Sequence, residues 1–161
     1  MNHLEQLISE WLEYKGYFVR RNVKVGKLSH GGHEGEVDIA AFHPETNHLL
    51  HVEPSIDAHP WDKREARFLK KFKSGKKYII SEIFPWLPKS TKIEQWAVLW
   101  ASDKNYQVIG GGKIIPIWNL YQIIAKDISS RKAPGNAISE QYSLLRTMQF
   151  TLHWVINNNG N

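Results

Sequence analysis

The sequence predicts one α/β domain, built from a mixed β-sheet with helices on both faces. The chain opens with an amphipathic helical pattern, and residues 37–42 and 50–55 then alternate with the period of two expected of strands. Helical spacing returns in residues 114–128 and again near the C-terminus. With 161 residues, of which 42% are hydrophobic, the chain fits one globular domain over 1–156, followed by a disordered tail at 157–161.

Composition excludes several classes of protein. No apolar run approaches the ~18 residues of a membrane span, and the N-terminus lacks the apolar stretch of a secretory signal. We therefore expect a cytoplasmic protein with no membrane contact. The chain contains no cysteine, which excludes disulfides and thiolate zinc sites. Any bound metal must use oxygen or nitrogen ligands.

Positive charge is concentrated in residues 61–77. The whole chain carries a net charge of +5, whereas this segment alone carries +6, eight cations minus Asp62 and Glu65. The eight cations are Lys63, Arg64, Arg67, Lys70, Lys71, Lys73, Lys76 and Lys77. Uncompensated cations repel one another, so a polyanion that neutralises them would bind favourably and with strong salt dependence.

Helix 1 and the strand after it are the first elements of the predicted fold. The helix is indicated by apolar residues at helical spacing, namely Leu4, Leu7, Ile8, Trp11 and Leu12. Gly16 predicts its end, and residues 17–25 follow as a strand. Glu5 lies at the border of the apolar stripe, where an ordinary solvated residue is the simplest interpretation.

The β-hairpin predicted next carries two carboxylates on the polar sides of its arms. Asp38 lies in the first arm and Glu53 in the second, with a polar turn at residues 43–47. If the arms pair antiparallel, the two side chains share one face of the sheet. Close carboxylates repel each other unless a cation or a proton intervenes, and such oxygen ligands suit Mg²⁺ or Mn²⁺.

An acidic residue in helix 1, a V-D pair in a strand and an acidic residue fifteen positions later resemble the PD-(D/E)XK nuclease superfamily. That superfamily includes restriction endonucleases and archaeal Holliday junction resolvases, and the resemblance covers residues 4–80. It implies a restriction-endonuclease-like fold and a metal-dependent nuclease acting on DNA, often as a homodimer. Asp38, Glu53 and the main-chain carbonyl of Pro54 would hold Mg²⁺ or Mn²⁺, and Glu5 would lie beside them.

The resemblance leaves one position open, because the family pattern has lysine two residues after Glu53, where this sequence has Ser55. Either Lys63 or Arg67 from the next helix supplies the cation, or Ser55 suffices at a reduced rate, or the site is inactive. An inactive domain of the same fold would bind nucleic acid or a partner protein. A third hypothesis makes the strand face with His51, Glu53, Ser55 and Asp57 a small-molecule or zinc site.

A basic helix is expected after Pro60. Its apolar residues Trp61, Phe68, Leu69 and Phe72 are predicted to face the sheet. We expect nucleic-acid contact from Lys63, Arg64, Arg67, Lys70 and Lys71. The alternative is a solvated basic face without a partner.

The remaining elements follow from shorter patterns. Strands are predicted at 77–82, 96–101 and 106–109, with a turn at 103–105 and a plain turn at the glycine run 110–113. Helices are predicted at 114–128 and from Ser139 onward. The loop with His30, His33 and Glu34 offers no rigid scaffold for a metal, so we expect a hairpin tip.

Overall fold

The structure is a computed structural model that describes residues 2–100, 106–129, 133 and 135–158, with side chains up to 155. Its elements in chain order are α1 (His3–Tyr14), β1 (Phe18–Lys27), β2 (His33–His43), β3 (His48–Ser55), α2 (Trp61–Tyr78), a π-helical turn (Ile79–Ile83), β4 (Ile93–Leu99), β5 (Val108–Ile109), β6 (Gly112–Pro116), α3 (Ile117–Ser129) and α4 (Ser143–Asn158).

One mixed sheet runs through the described residues in the order β1-β2-β3-β4-β6-β5. β1, β2 and β3 are antiparallel neighbours, whereas β4 and β6 continue parallel to β3. β5 returns antiparallel to β6. The mixed α/β sheet predicted from the sequence is therefore confirmed.

Helices cover both faces of the sheet. On one face, Leu12 of α1, Leu120 of α3 and Leu145 of α4 share a core with Ile39 and Leu50. Because strand neighbours point to opposite faces, the adjacent residues of β2 and β3 belong to the other side. There α2 and the π-helical turn pack on residues such as Ala40, Leu49, Ala97 and Leu99.

α1 begins and ends as local chemistry dictates. Asn2 and Glu5 form a reciprocal capping box, which satisfies main-chain N–H groups at the start of the helix. The helix ends before Gly16, whose φ of +92° is a conformation that favours glycine. The predicted helix and its stop at Gly16 are confirmed.

The prediction of a strand at 77–82 is wrong. α2 continues through Tyr78 into the π-helical turn, in which the Phe84 N–H donates to the Ile79 carbonyl at 2.8 Å. Short apolar runs of this kind fit a buried helix end as well as a strand, and here the 68, 72, 75, 79 spacing continues the helical face. Leu69 is 54% exposed, so it does not face the sheet as predicted.

The C-terminal third also departs from the predicted bounds. Residues 112–116 form β6, with Ile114 and Ile115 buried in cores on opposite faces, so the helix predicted from 114 begins only after Pro116. The plain turn expected at 110–113 is limited to Gly110 and Gly111, because Gly112 and Lys113 already belong to β6. α4 begins at Ser143, not at Ser139, and reaches Asn158, two residues into the predicted tail.

Three smaller predictions complete the comparison. β4 begins at Ile93, three residues before the predicted start at 96, and β5 is shorter than the predicted 106–109. The predicted turn at 103–105 and the last tail residues, 159–161, lie outside the described residues. Within the described residues, no helix combines the length and the apolar composition needed to span a bilayer.

Candidate active site

Asp38 and Glu53 lie opposite each other where β2 and β3 stop pairing. The last main-chain pair between the strands is Ile39 with Val52. At the next position the Asp38 N–H donates instead to Glu53 Oε1, at 3.2 Å. Both carboxylates face α2, as their shared contact with one helix residue shows. The predicted common face is confirmed.

Lys71 of α2 places its ammonium between these two carboxylates. Its Nζ lies 2.6 Å from Asp38 Oδ2 and also contacts Glu53 Oε2. The sequence offered Lys63 or Arg67 as the source of a cation here and assigned Lys71 to the nucleic-acid surface. The relevant signal was that Lys71 follows the buried Phe68 by three residues, at the edge of the apolar stripe.

A single ammonium does not fully compensate the carboxylate pair. Burial and the neighbouring Glu53 raise the pKa of Asp38 from 3.8 to about 7, against the opposing effect of Lys71. Burial opposes the charge on Lys71, but the two carboxylates raise its pKa above the usual value. With both acids ionised, the site retains one excess negative charge. This donor set therefore fits a divalent cation with oxygen ligands.

Glu53 also contacts a buried chain of hydrogen-bonded side chains. Its Oε1 lies 2.7 Å from His51 Nε2, and the imidazole is fully buried. Gln95 Nε2 lies 3.0 Å from His51 Nδ1 and 3.0 Å from the carbonyl of Phe72. Burial lowers the pKa of His51 to about 3, so the imidazole is neutral at ordinary pH. Sequence reasoning missed Gln95 entirely, because only the register of β4 against β3 places it here.

Ser55 belongs to a separate cluster at the end of β3. Its hydroxyl donates to Asp57 and accepts from Arg67 Nη2 at 2.8 Å. Arg67 also pairs with the Asp57 carboxylate, and Arg64 Nε lies 3.4 Å from it. Burial alone would raise the pKa of Asp57, but hydrogen bonds from Ser55 and Arg67 hold this pKa well below its usual range. Arg67 thus reaches Ser55, while Lys71 reaches the carboxylates.

Glu5 and Pro54 are the other two residues predicted for the metal site. Glu5 lies on α1, which packs on one face of the sheet, whereas Asp38 and Glu53 point to the opposite face, towards α2. The Glu5 carboxylate accepts from the side chain of Asn2 at 2.8 Å and from its main-chain N–H at 3.2 Å. Pro54 is buried in β3 and pairs with Val98 of β4. The catalytic role of Glu5 and the role of the Pro54 carbonyl as a ligand stay predictions.

The basic segment divides into paired and unpaired cations. Four of the eight form ion pairs with acids outside the segment: Arg64 and Arg67 with Asp57, Lys71 with Asp38 and Glu53, and Lys77 with Glu34. The sequence count overlooked these distant acids. Across residues 2–100 and the other described ranges, the remaining four form no ion pair, and all are exposed: Lys63, Lys70, Lys73 and Lys76. The basic surface without acidic partners is therefore smaller than predicted, because it contains four of the eight cations.

The four residues of the zinc or small-molecule hypothesis form two separate hydrogen-bonded clusters, and the hypothesis stays a prediction. His51 and Glu53 lie under α2 and bond each other, whereas Ser55 and Asp57 bond Arg67. In the described part of the chain, no group of three or more His, Cys, Asp or Glu side chains is placed to hold a metal ion. A metal centre here would depend on the two carboxylates, with main-chain or solvent oxygens completing the shell.

No family model matches this sequence. No curated protein matches it significantly either. Functional inference therefore depends on the residues of this chain and their geometry.

Proposed function

We propose that this chain is a metal-dependent nuclease that hydrolyses DNA phosphodiester bonds, with a restriction-endonuclease-like fold. The observation that carries the proposal is the approach of Lys71 to the Asp38 and Glu53 carboxylates. The resemblance requires two acids and one lysine, and Ser55 removes the lysine from its usual place in sequence. Lys71 from α2 replaces it in space, so that two acids and one lysine still meet at one site.

Asp38 and Glu53, with the carbonyl of Pro54, would hold Mg²⁺ or Mn²⁺. When bound there, the ion supplies Lewis-acid polarisation of the scissile phosphate and a lower pKa for the attacking water. The chain's own contribution is positional. Lys71, freed from its ion pairs, can donate charge-assisted hydrogen bonds to a phosphate oxygen on which negative charge builds.

The exposed cations of α2 would bind the DNA backbone. Lys63 and Lys70 lie on the outer side of the same helix that carries Lys71, so a bound strand could contact all three along one helix. The proposal includes a cytoplasmic location and, for cutting both strands, pairing of two copies. Arg64 and Arg67 could join the interface by exchanging Asp57 for a phosphate.

Cleavage of plasmid and of labelled oligonucleotides in Mg²⁺ or Mn²⁺ tests the proposal. Cleavage should vanish in Asp38→Ala and Glu53→Ala, and Lys71→Ala should lower the rate by roughly 10²-fold or more, as loss of a transition-state donor does. Lys126→Ala, on the opposite face, is the matched control and should cleave normally. Ser55→Lys should raise the rate if the geometry around Glu53 accepts a second cation.

A nuclease-fold module that binds nucleic acid without cutting it is the second candidate. It is favoured by the same ion pair, because Lys71 already neutralises part of the carboxylate charge without a metal. Salt-dependent DNA binding, with no cleavage of any DNA or RNA form and no Mn²⁺ bound, would establish this candidate in place of the first.

A further inference from the structure

The Glu53 carboxylate is held asymmetrically. Oε1 accepts from two buried donors, His51 Nε2 at 2.7 Å and the Asp38 N–H at 3.2 Å. Oε2 is the oxygen that contacts Lys71. One oxygen is thus anchored within the protein while the other is presented to the cation.

The proton positions in the chain behind Glu53 follow from a single carbonyl. The Phe72 carbonyl can only accept, so the Gln95 atom 3.0 Å from it must be the amide nitrogen. That nitrogen also donates to His51 Nδ1 at 3.0 Å, which leaves Nδ1 without a hydrogen. Neutral His51 therefore carries its hydrogen on Nε2 and donates it to Glu53.

From these contacts we infer that His51 is a positioning residue that directs Glu53 Oε2 towards the metal site. The inference rests on the proposed function for its metal, and on the contacts above for its geometry. A histidine beside a ligand carboxylate acts as hydrogen-bonded outer-shell partners do, by fixing ligand orientation.

α2 is shaped around this imidazole. A Cβ on Gly75 would lie 2.3 Å from both Cε1 and Nδ1 of His51, a distance at which atoms overlap. Glycine inside a helix is less favourable than alanine. Glycine at position 75 leaves the space that the His51 ring occupies.

Mn²⁺ titration calorimetry on matched variants tests the inference. His51→Leu removes the donor, His51→Gln restores an N–H donor, and His48→Leu is the control on the same strand, because His48 bonds Tyr17 and Glu94 instead. We expect His51→Leu to weaken Mn²⁺ binding about tenfold or more, His51→Gln to recover part of the loss, and the control to bind normally. Equal affinity in folded His51→Leu and unaltered protein would overturn the inference.

Crystal structures of the same variants separate this inference from the proposed function. If unaltered protein binds no Mn²⁺, the proposed metal site fails, and the Glu53 side chain decides the role of His51. A reoriented Glu53 in His51→Leu supports positioning, whereas an unchanged Glu53 contradicts it. If His51→Leu does not fold, Gly75→Ala replaces it, because the added methyl displaces the imidazole and leaves every site side chain present. Normal Glu53 orientation and Mn²⁺ affinity in Gly75→Ala would then contradict the inference.

Discussion

Replacing Asp38 with asparagine should make the metal-free protein more stable at neutral and alkaline pH. In unaltered protein the pKa of Asp38 rises from 3.8 unfolded to about 7 folded, mainly through burial and Glu53. Between these values the folded state binds the proton more tightly than the unfolded state. The free energy of unfolding therefore falls as pH rises through this interval and is level above it. Asparagine keeps the shape of the protonated acid and removes the titration.

The size of the effect follows from the shift. Each pH unit between the two pKa values contributes ~1.4 kcal/mol, so the stability of Asp38→Asn relative to unaltered protein should grow by up to about 4 kcal/mol between pH 4 and 7. Urea denaturation in EDTA across pH 4–8.5 measures this difference, and subtraction cancels the titrating groups that do not interact with Asp38, such as Asp57. If the free energy of unfolding varies with pH in the same way in both proteins, the pKa of Asp38 is not raised, and the interpretation of a close and undercompensated carboxylate pair is refuted.

Two further predictions concern the binding surface and the docking of α4. Neutralising Lys63 and Lys70 with glutamine should weaken duplex binding and make the slope of log affinity against log salt less steep by about 2, measured by fluorescence anisotropy. The control Lys126→Gln should change neither the affinity nor the slope. An unaltered slope in the double variant would exclude these two lysines from the interface. Glu10→Ala should lower the free energy of unfolding by about 2–3 kcal/mol, because Glu10 Oε2 accepts from the buried Leu145 N–H at 3.0 Å. Urea denaturation tests this, Glu10→Gln should cost less, and equal losses in both would point to packing instead of the hydrogen bond.

Local sequence patterns predicted the elements whose causes are local. The period of two placed Asp38 and Glu53 on one face, and Gly16 marked the end of α1, since each depends on a few neighbouring residues. Helix and strand could not be separated at 77–82, where a short apolar run fits either, and the long continuation of α2 decided the outcome.

Contacts between distant segments were beyond such patterns. The start of α4 is set by Glu10, which lies more than 130 positions earlier and accepts from the first N–H groups of that helix. Lys71 and Gln95 join the candidate site only because α2 crosses β3 and β4 pairs parallel to it. Charge counting within 61–77 failed for the same reason, since the acids that pair with its cations come from other elements.

A crystal structure of the protein soaked with Mn²⁺ tests the metal site most directly. The proposed function predicts anomalous density between Asp38 and Glu53, with the Lys71 ammonium displaced from its bridging position. If the crystals show Lys71 still bridging the two carboxylates and no anomalous density at saturating Mn²⁺, the carboxylate pair is not a metal site and the proposed nuclease mechanism is wrong.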